Sequence, residues 1–354
     1  MIGIWKVPEV EPTADYPWEP IERIAETVGL KELHEAGYGG NYVLIAIIDD
    51  FPETLVDFIA MGFPLKWTDR VIEYHGKGSG FAHGLMTSTI AADLAPQARL
   101  GLVSFGAFGG DIFAVLFEVE RWMNEHPEYQ IVSSNSWTFV YEEEAYHSSL
   151  HPFNRKVVEL SERGVIFLWG AGNWGKPGDH PEGICDYDTR AEDFPIEIGY
   201  PAALERVLSV GAVDSLGERA LNFSSVGPAV DNVLEPDITA PSMFLSRYSP
   251  YDGKATGTSA STPVAAASVA CALTNLRVRD VVGFVRSVQR TAHDLGSPGW
   301  DVEFGWGLVD ASALQTVVPS PTAPTPPPPM SILGGGMIAA GALLMLLPIK
   351  KVAS

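Results

Sequence analysis

The sequence predicts an α/β fold built on a mostly parallel sheet, and three observations carry the prediction. Short β-branched apolar runs recur without polar alternation, as strands buried on both faces require. Helical patterns separate several of these runs, which implies right-handed crossovers between parallel neighbours. Residues with catalytic chemistry fall where a strand ends or a helix begins, the edge at which such sheets place their ligands.

Along the chain, the opening residues "MIGIWKVPEV" show no basic start followed by an apolar stretch, so no secretory signal peptide is visible. The first strand pattern is "NYVLIAIIDD" (41–50), bounded by "GYGG" and "FPE". Next, "GSGFAHGLMTSTIAADLAP" (78–96) reads as a glycine-rich loop that opens a helix at His83. Further strand runs are "ARLGLVSF" (98–105), "QIVSSNSW" (130–137), "GVIFLWGAGN" (164–173) and "VLSVGAVD" (207–214). Helical patterns lie between them at "DIFAVLFEVERWMNE" (111–125) and "NRKVVELSERG" (154–164). Then "TGTSASTP" (256–263) runs into the apolar "VAAASVACAL". Taken alone, its hydroxyls read as helix N-caps and Pro263 as a first-turn residue.

The last residues have a different character. Residues 317–330 are a Pro-rich, semi-rigid linker. Residues 331–349 are uncharged and apolar, followed by a short basic tail, 350–354, with Lys350 and Lys351. This pattern predicts a single-pass membrane helix, with the lysines inside and the preceding domain extracytoplasmic.

Composition narrows the function classes. The 354 residues hold 44 acidic and 23 basic side chains, a net charge of -21. Such a balance argues against nucleic acid and against a basic membrane-docking face. The two cysteines, Cys185 and Cys271, lie far apart in no metal-like spacing. Cys271, inside an apolar run, reads as a buried inert thiol.

On this frame Asp49 and Asp50 end the first strand, His83 opens a helix, Asn173 leaves another strand and Ser259 stands at the apolar helix's mouth. Together they supply acid, imidazole, amide donor and hydroxyl, the inventory of acyl-transfer catalysis. For each there is a plainer alternative: strand-capping carboxylates, a loop histidine, a turn asparagine and a helix cap.

In their order, these motifs resemble the subtilisin-like serine proteases over roughly residues 16–316. "IAIIDD" resembles the family's Asp strand, "AHG" with the later "APQARL" its His motif, and "SNSW" its substrate-binding strand. "GAGN" resembles the oxyanion-Asn motif, "YPAALERVLSVGAVD" and "FSSVG" the segments after it, "GTSASTP" the nucleophile motif and "GWGLVDASAL" the closing turn and helix. The order Asp, His, Ser sets this set apart from other triad folds. The resemblance implies a three-layer fold, a peptidase domain over 16–316 and an N-terminal extension over 1–15. It also implies a serine endopeptidase working through an acyl-enzyme. Ser259 is then the nucleophile, His83 its base, Asp49 rather than Asp50 the orienting acid, and Asn173 the oxyanion donor. His75, in the other "HG", reads as a surface loop histidine. Because only neutral imidazole acts as base, activity is expected to rise with pH.

By the same resemblance, Ser136, Trp137 and Thr138 with Gly170, Ala171 and Gly172 flank the specificity pocket and bind a peptide as an added strand. Trp137 and Trp174 read equally as pocket walls or core aromatics. The chemistry requires no cofactor and the residues suggest no catalytic metal. Structural calcium is frequent in the family, but no calcium pattern is legible here.

The chain departs from the family pattern at Phe51, where glycine is expected, at "HGLMTST", which lacks a second histidine, and at Thr138, which replaces a glycine. The departures suggest restricted substrates. Two alternatives follow: a substrate-restricted processing or peptidyl-transfer enzyme, and a pseudoprotease that binds peptides without cutting them.

Overall fold

Seven strands form one sheet: β1 (Val43–Asp49), β2 (Val71–His75), β3 (Arg99–Ser104), β4 (Gln130–Asn135), β5 (Ile166–Gly170), β6 (Val207–Val213) and β7 (Ile238–Pro241). They lie in the order β7-β6-β5-β4-β1-β3-β2, and every pairing is parallel. The order reverses beside β1: the chain builds β2 and β3 on one side, then β4 to β7 on the other. Such a reversal opens a crevice at the carboxyl ends of the flanking strands. The computed structural model describes residues 2–3, 17–77, 82–139, 143–175 and 198–318.

All seven residues of β1 are buried, and alternate side chains feed two layers. Val43, Ile45 and Ile47 join a core with α1 (His83–Leu94). Leu44, Ala46 and Ile48 join a second core with α2 (Ile112–Glu125) and α3 (Pro152–Glu162). On the first face, α4 (Thr258–Ala272) and α5 (Val281–Thr291) complete the layer. The three-layer α/β architecture expected from the sequence is therefore present, with a sheet that is wholly parallel.

The helices differ as their sequences do. In α2 and α3 an apolar stripe is buried and the opposite face carries charges, among them the Lys156–Glu120 and Arg163–Glu120 pairs. Every residue of α4 is buried, as an Ala-rich helix without a charged face permits. Its start differs from the sequence expectation. Pro263 lies in the second turn, not the first, and the N-cap is Gly257 at φ 80° with no capping hydroxyl. An L side chain at that φ would be strained.

Arg70 is a buried cation beneath α1. It donates to the carbonyls of Ala92 (Nη1, 2.8 Å), Ala95 (Nη2, 2.7 Å) and Ala98 (Nε, 3.0 Å), at and just beyond that helix's C-terminus. Burial pulls its guanidinium down to about 10. Cys271 is buried as expected, and burial raises its thiol. His75 lies at the end of β2, not in a loop. It stands half-buried beside Glu73, Glu118 and Arg121.

The membrane expectation is corrected. No helix among the described residues is long and apolar enough to cross a membrane. The longest, α4, has 15 residues, roughly 22 Å of rise against about 30 Å of hydrocarbon. Residues 331–349, on which the expectation rested, lie outside the described residues, as do the tail and the linker from residue 319 onward. The single-pass, extracytoplasmic placement is withdrawn, since no spanning helix is found among the described residues.

Candidate active site

Three neighbouring strands bring the candidate residues for acyl transfer together. The register pairs Ile48 of β1 with Asn135 of β4, and Asn135 with Trp169 of β5. Asp49, Ser136 and Gly170 therefore end adjacent strands about 4.8 Å apart. Asn173 follows three residues beyond β5.

Asp49 is buried, and its carboxyl is held from three directions. His83 Nδ1–H donates to Oδ1 at 2.7 Å, the backbone N–H of Asp50 donates to Oδ1 at 2.7 Å, and the Thr87 hydroxyl donates to Oδ2 at 2.8 Å. His83 and Thr87 stand four residues apart on α1, so one helix face grips both carboxyl oxygens. The sequence contained that spacing, in "HGLMTST", but it was read as a departure from the family pattern. Asp50 points elsewhere; its Oδ1 accepts from Ser104 Oγ at 3.5 Å. Its buried position still matters to its neighbours. Burial raises the Tyr251 phenol, and Asp49 and Asp50 raise it further.

Phe51 does not disturb this corner. Its ring is fully buried edge-on to Phe58 (centroids 5.3 Å apart) and Tyr74 (6.2 Å). Space for it comes from Gly84, where a Cβ would meet the Asp50 carbonyl at 2.3 Å and the Phe51 ring at 2.7 Å. Standing where the family pattern has glycine, Phe51 packs into this corner because the residue after His83 has no side chain.

At the far side of the site, Asn173 Oδ1 accepts from the Thr258 backbone N–H at 2.8 Å and from Thr258 Oγ1 at 3.1 Å. The first N–H of α4 is thus capped by a residue 85 positions away, not by the segment's own hydroxyls. Engaging the amide oxygen fixes the plane of Asn173 and makes its NH2 end the donor end. Thr262 Oγ1 bonds the Thr258 carbonyl at 2.7 Å, and Ser136 Oγ donates to the Ser259 carbonyl at 3.0 Å. Ser259 itself is the second residue of α4 and is almost fully buried. His83 Nε2 is buried without a hydrogen-bond partner, so no bond joins it to Ser259 in this state. Nucleophile–base bonds often tighten only when substrate binds.

The expected pocket residues divide. Trp137 is a core aromatic: its indole packs against Phe105, Phe139, Phe153 and Trp169, and its carbonyl accepts from Trp169 Nε1 at 2.5 Å. Gly170 faces α4, for a Cβ there would lie 3.2 Å from Thr258 Oγ1 and Thr262 Oγ1. Ala171 N–H bonds the Val210 carbonyl and Gly172 accepts from Ser225 N–H, so this stretch forms the turn that presents Asn173. Thr138 and Phe139 pair antiparallel with Gly3 and Ile2, respectively. This edge therefore accepts an extended segment.

Among the described residues, one acidic cluster has metal-like spacing: Glu73, Glu125 and His126, within 4.8 Å of one another. Arg121 already pairs with Glu73 and Glu125 there, so the cluster reads as an ion-pair network.

A model of the subtilase family matches residues 75–307, which include His83, Asn173 and Ser259 and leave Asp49 outside. The chain is 26% identical over 306 residues to the minor extracellular protease Epr of Bacillus subtilis, covering 82% of this chain and 41% of that protein. Against a subtilisin of Bacillus pumilus it is 26% identical, covering 79% of this chain and 94% of the relative. It is 30% identical to a thermostable alkaline protease of Halalkalibacterium halodurans, over 87% of this chain and 76% of that one. The chain thus spans about two fifths of Epr and most of the other two. By the family match and the sheet that carries these residues, this chain belongs to the subtilase family of serine-type endopeptidases.

Proposed function

We propose that the protein hydrolyses peptide bonds through an acyl-enzyme formed on Ser259. The observation that carries this reading is the buried Asp49–His83 bond of 2.7 Å, which ends one strand over from the Ser136 that holds the Ser259 backbone. Asp49 fixes the imidazole by its Nδ1–H, so Nε2 is the nitrogen that takes the Ser259 proton and later gives it to the leaving amine. As the carbonyl carbon becomes tetrahedral, its oxygen gathers negative charge. The Asn173 NH2 group and the Ser259 N–H at the start of α4 are the donors for that charge, since the Thr258 N–H is taken by Asn173 Oδ1 and the Ala260 N–H by the Gly257 carbonyl. Losing one such donor costs about 10² to 10³ in turnover.

A peptide would lie antiparallel along the edge at Thr138, where Ile2–Gly3 now pairs. Because Trp137 points into the core, its backbone, not its ring, would meet the peptide.

The test is labelling with a fluorophosphonate, wild type beside Ser259→Ala. Labelling of the wild type alone is expected. A folded wild type that stays unlabelled would remove the enzyme reading and leave peptide binding, whereas equal labelling of the variant would remove Ser259.

A further inference from the structure

Pro263 poses a question that the triad does not answer. In an α-helix the N–H of residue i bonds the carbonyl of residue i−4. Residue 263 has no N–H, and the carbonyl it would have served belongs to Ser259. That carbonyl sits one peptide from the reacting hydroxyl, in a stretch where every side chain is buried. The helix therefore leaves open an acceptor at the residue whose position matters most. A side chain from another strand fills it: Ser136 Oγ donates to the Ser259 carbonyl at 3.0 Å.

We infer that the Ser136 hydroxyl is a positioning residue for the nucleophile, standing in for the N–H that Pro263 lacks and tying the Ser259 peptide to the carboxyl end of β4. The inference rests on the reading of Ser259 as nucleophile. It gives Ser136 a role different from lining a specificity pocket. Ser136 directly follows β4, one residue beyond the Asn135–Ile48 pair, as Asp49, which holds His83, lies one residue beyond it on β1. One strand pair thereby sets both halves of the proton-transfer pair: β1 through Asp49 to the imidazole, β4 through Ser136 to the serine. The rigid spacing of two bonded strands is transmitted to two side chains carried by different helices. Thr258 adds the second tie, through Asn173 on the loop after β5. Ser259 is thus fixed from the residue before it and from its own carbonyl, with its hydroxyl between.

The experiment is a cycle of Ser136→Ala and Pro263→Ala, read by fluorophosphonate labelling rate, by kcat and KM on a peptide, and by melting temperature. Alanine at 263 restores the helical N–H to the Ser259 carbonyl, so it supplies by the helix what Ser136 supplies from the sheet. With proline at 263, Ser136→Ala should lower kcat and labelling rate about tenfold or more, because small misplacements of a reacting group carry large rate penalties. KM should change less than about twofold in that comparison. With alanine at 263, the same Ser136→Ala step should cost less than about threefold, the mark of two residues coupled through one shared acceptor. A cost independent of residue 263 overturns the inference, as does a Ser136→Ala variant as fast as wild type. So does a rise confined to KM, which would return Ser136 to substrate binding. If Ser136→Ala alone does not fold, the double variant decides: folded and active, it supports the role; unfolded or inactive, it ends it. A wild type that does not label at all fails the serine-nucleophile reading instead, and the two failures are distinguishable.

Discussion

The two ends of the sheet each bury acid, and they treat it in opposite ways. At the carboxyl end, Asp49 meets three donors, so its acceptors are matched before any substrate arrives. At the opposite end, just before β7, Glu235 and Asp237 are buried against each other. Asp237 has donors in Ser209 N–H (2.9 Å) and Gln289 Nε2 (2.5 Å), while Glu235 Oε2 has no partner. Burial, and then the neighbouring Asp237, raise Glu235 well above its ordinary value. Burial likewise lifts Asp237 to about 7. Depth is the same at both ends; the supply of donors differs. A buried acid surrounded by donors is an orienting device, and one facing another acid is a proton store.

The sharpest way to break this contrast is Asp49→Asn. It keeps the shape but puts an NH2 group against one of the donors, turning the imidazole away from the tautomer that leaves Nε2 open. A fall in kcat of about 10³ to 10⁴ is expected, with the fold retained by circular dichroism; a loss under tenfold would show that Asp50 or another group does the orienting.

At the other end the expectation concerns stability and pH. Because the folded chain holds protons that the unfolded chain releases above the ordinary carboxyl value, folding is favoured at low pH by these two groups. Stability should then fall as pH rises from near 4 through about 7. Glu235→Gln supplies a donor and removes the facing acid, so denaturant melts from pH 5 to 8 should become flatter. A wild-type stability that rises steadily over that window would contradict the assignment.

The smallest of the three effects concerns a single donor. Thr87→Val keeps the volume and deletes the hydroxyl on Asp49 Oδ2, which should cost roughly 1–2 kcal/mol in urea melts and a smaller loss in kcat than Asp49→Asn. An unchanged melt would mean that the other two donors suffice.

The sequence and the structure agree unevenly, and the reason is distance along the chain. The runs around 41–50, 98–105, 130–137, 164–173 and 207–214 announce strands because burial on both faces needs unbroken apolar character, and all five appear. Strand β2 was not legible, since "VIEYH" at the sheet's edge is half-exposed and carries Glu73 and His75. Strand β7 was missed because "ITAP" is four residues ending in proline. At the site, the residue types and their order were visible, whereas the couplings were not. Ser136 to Ser259 spans 123 positions and Asn173 to Thr258 spans 85, and no local pattern encodes such pairs. Phe51, which stands where the family pattern has glycine, is accommodated by an absent side chain at Gly84, a pairing that no local pattern shows. The membrane expectation rested on residues 331–349, outside the described residues, and no helix among the described ones is long and apolar enough to span a bilayer.

Arg70, introduced as a buried cation under α1, has a mechanical meaning beside this site. The helix that carries His83 is pinned at its mouth by Asp49 and at its tail by three carbonyls held on one guanidinium. A beam fixed at both supports cannot slide along its length, and neither support is part of the beam. The imidazole's position is therefore set by the sheet and by the segment leading into β2, not by how well α1 holds itself together. Heat must loosen that foundation before it can move the histidine, so the catalytic geometry and the fold should give way as a single event.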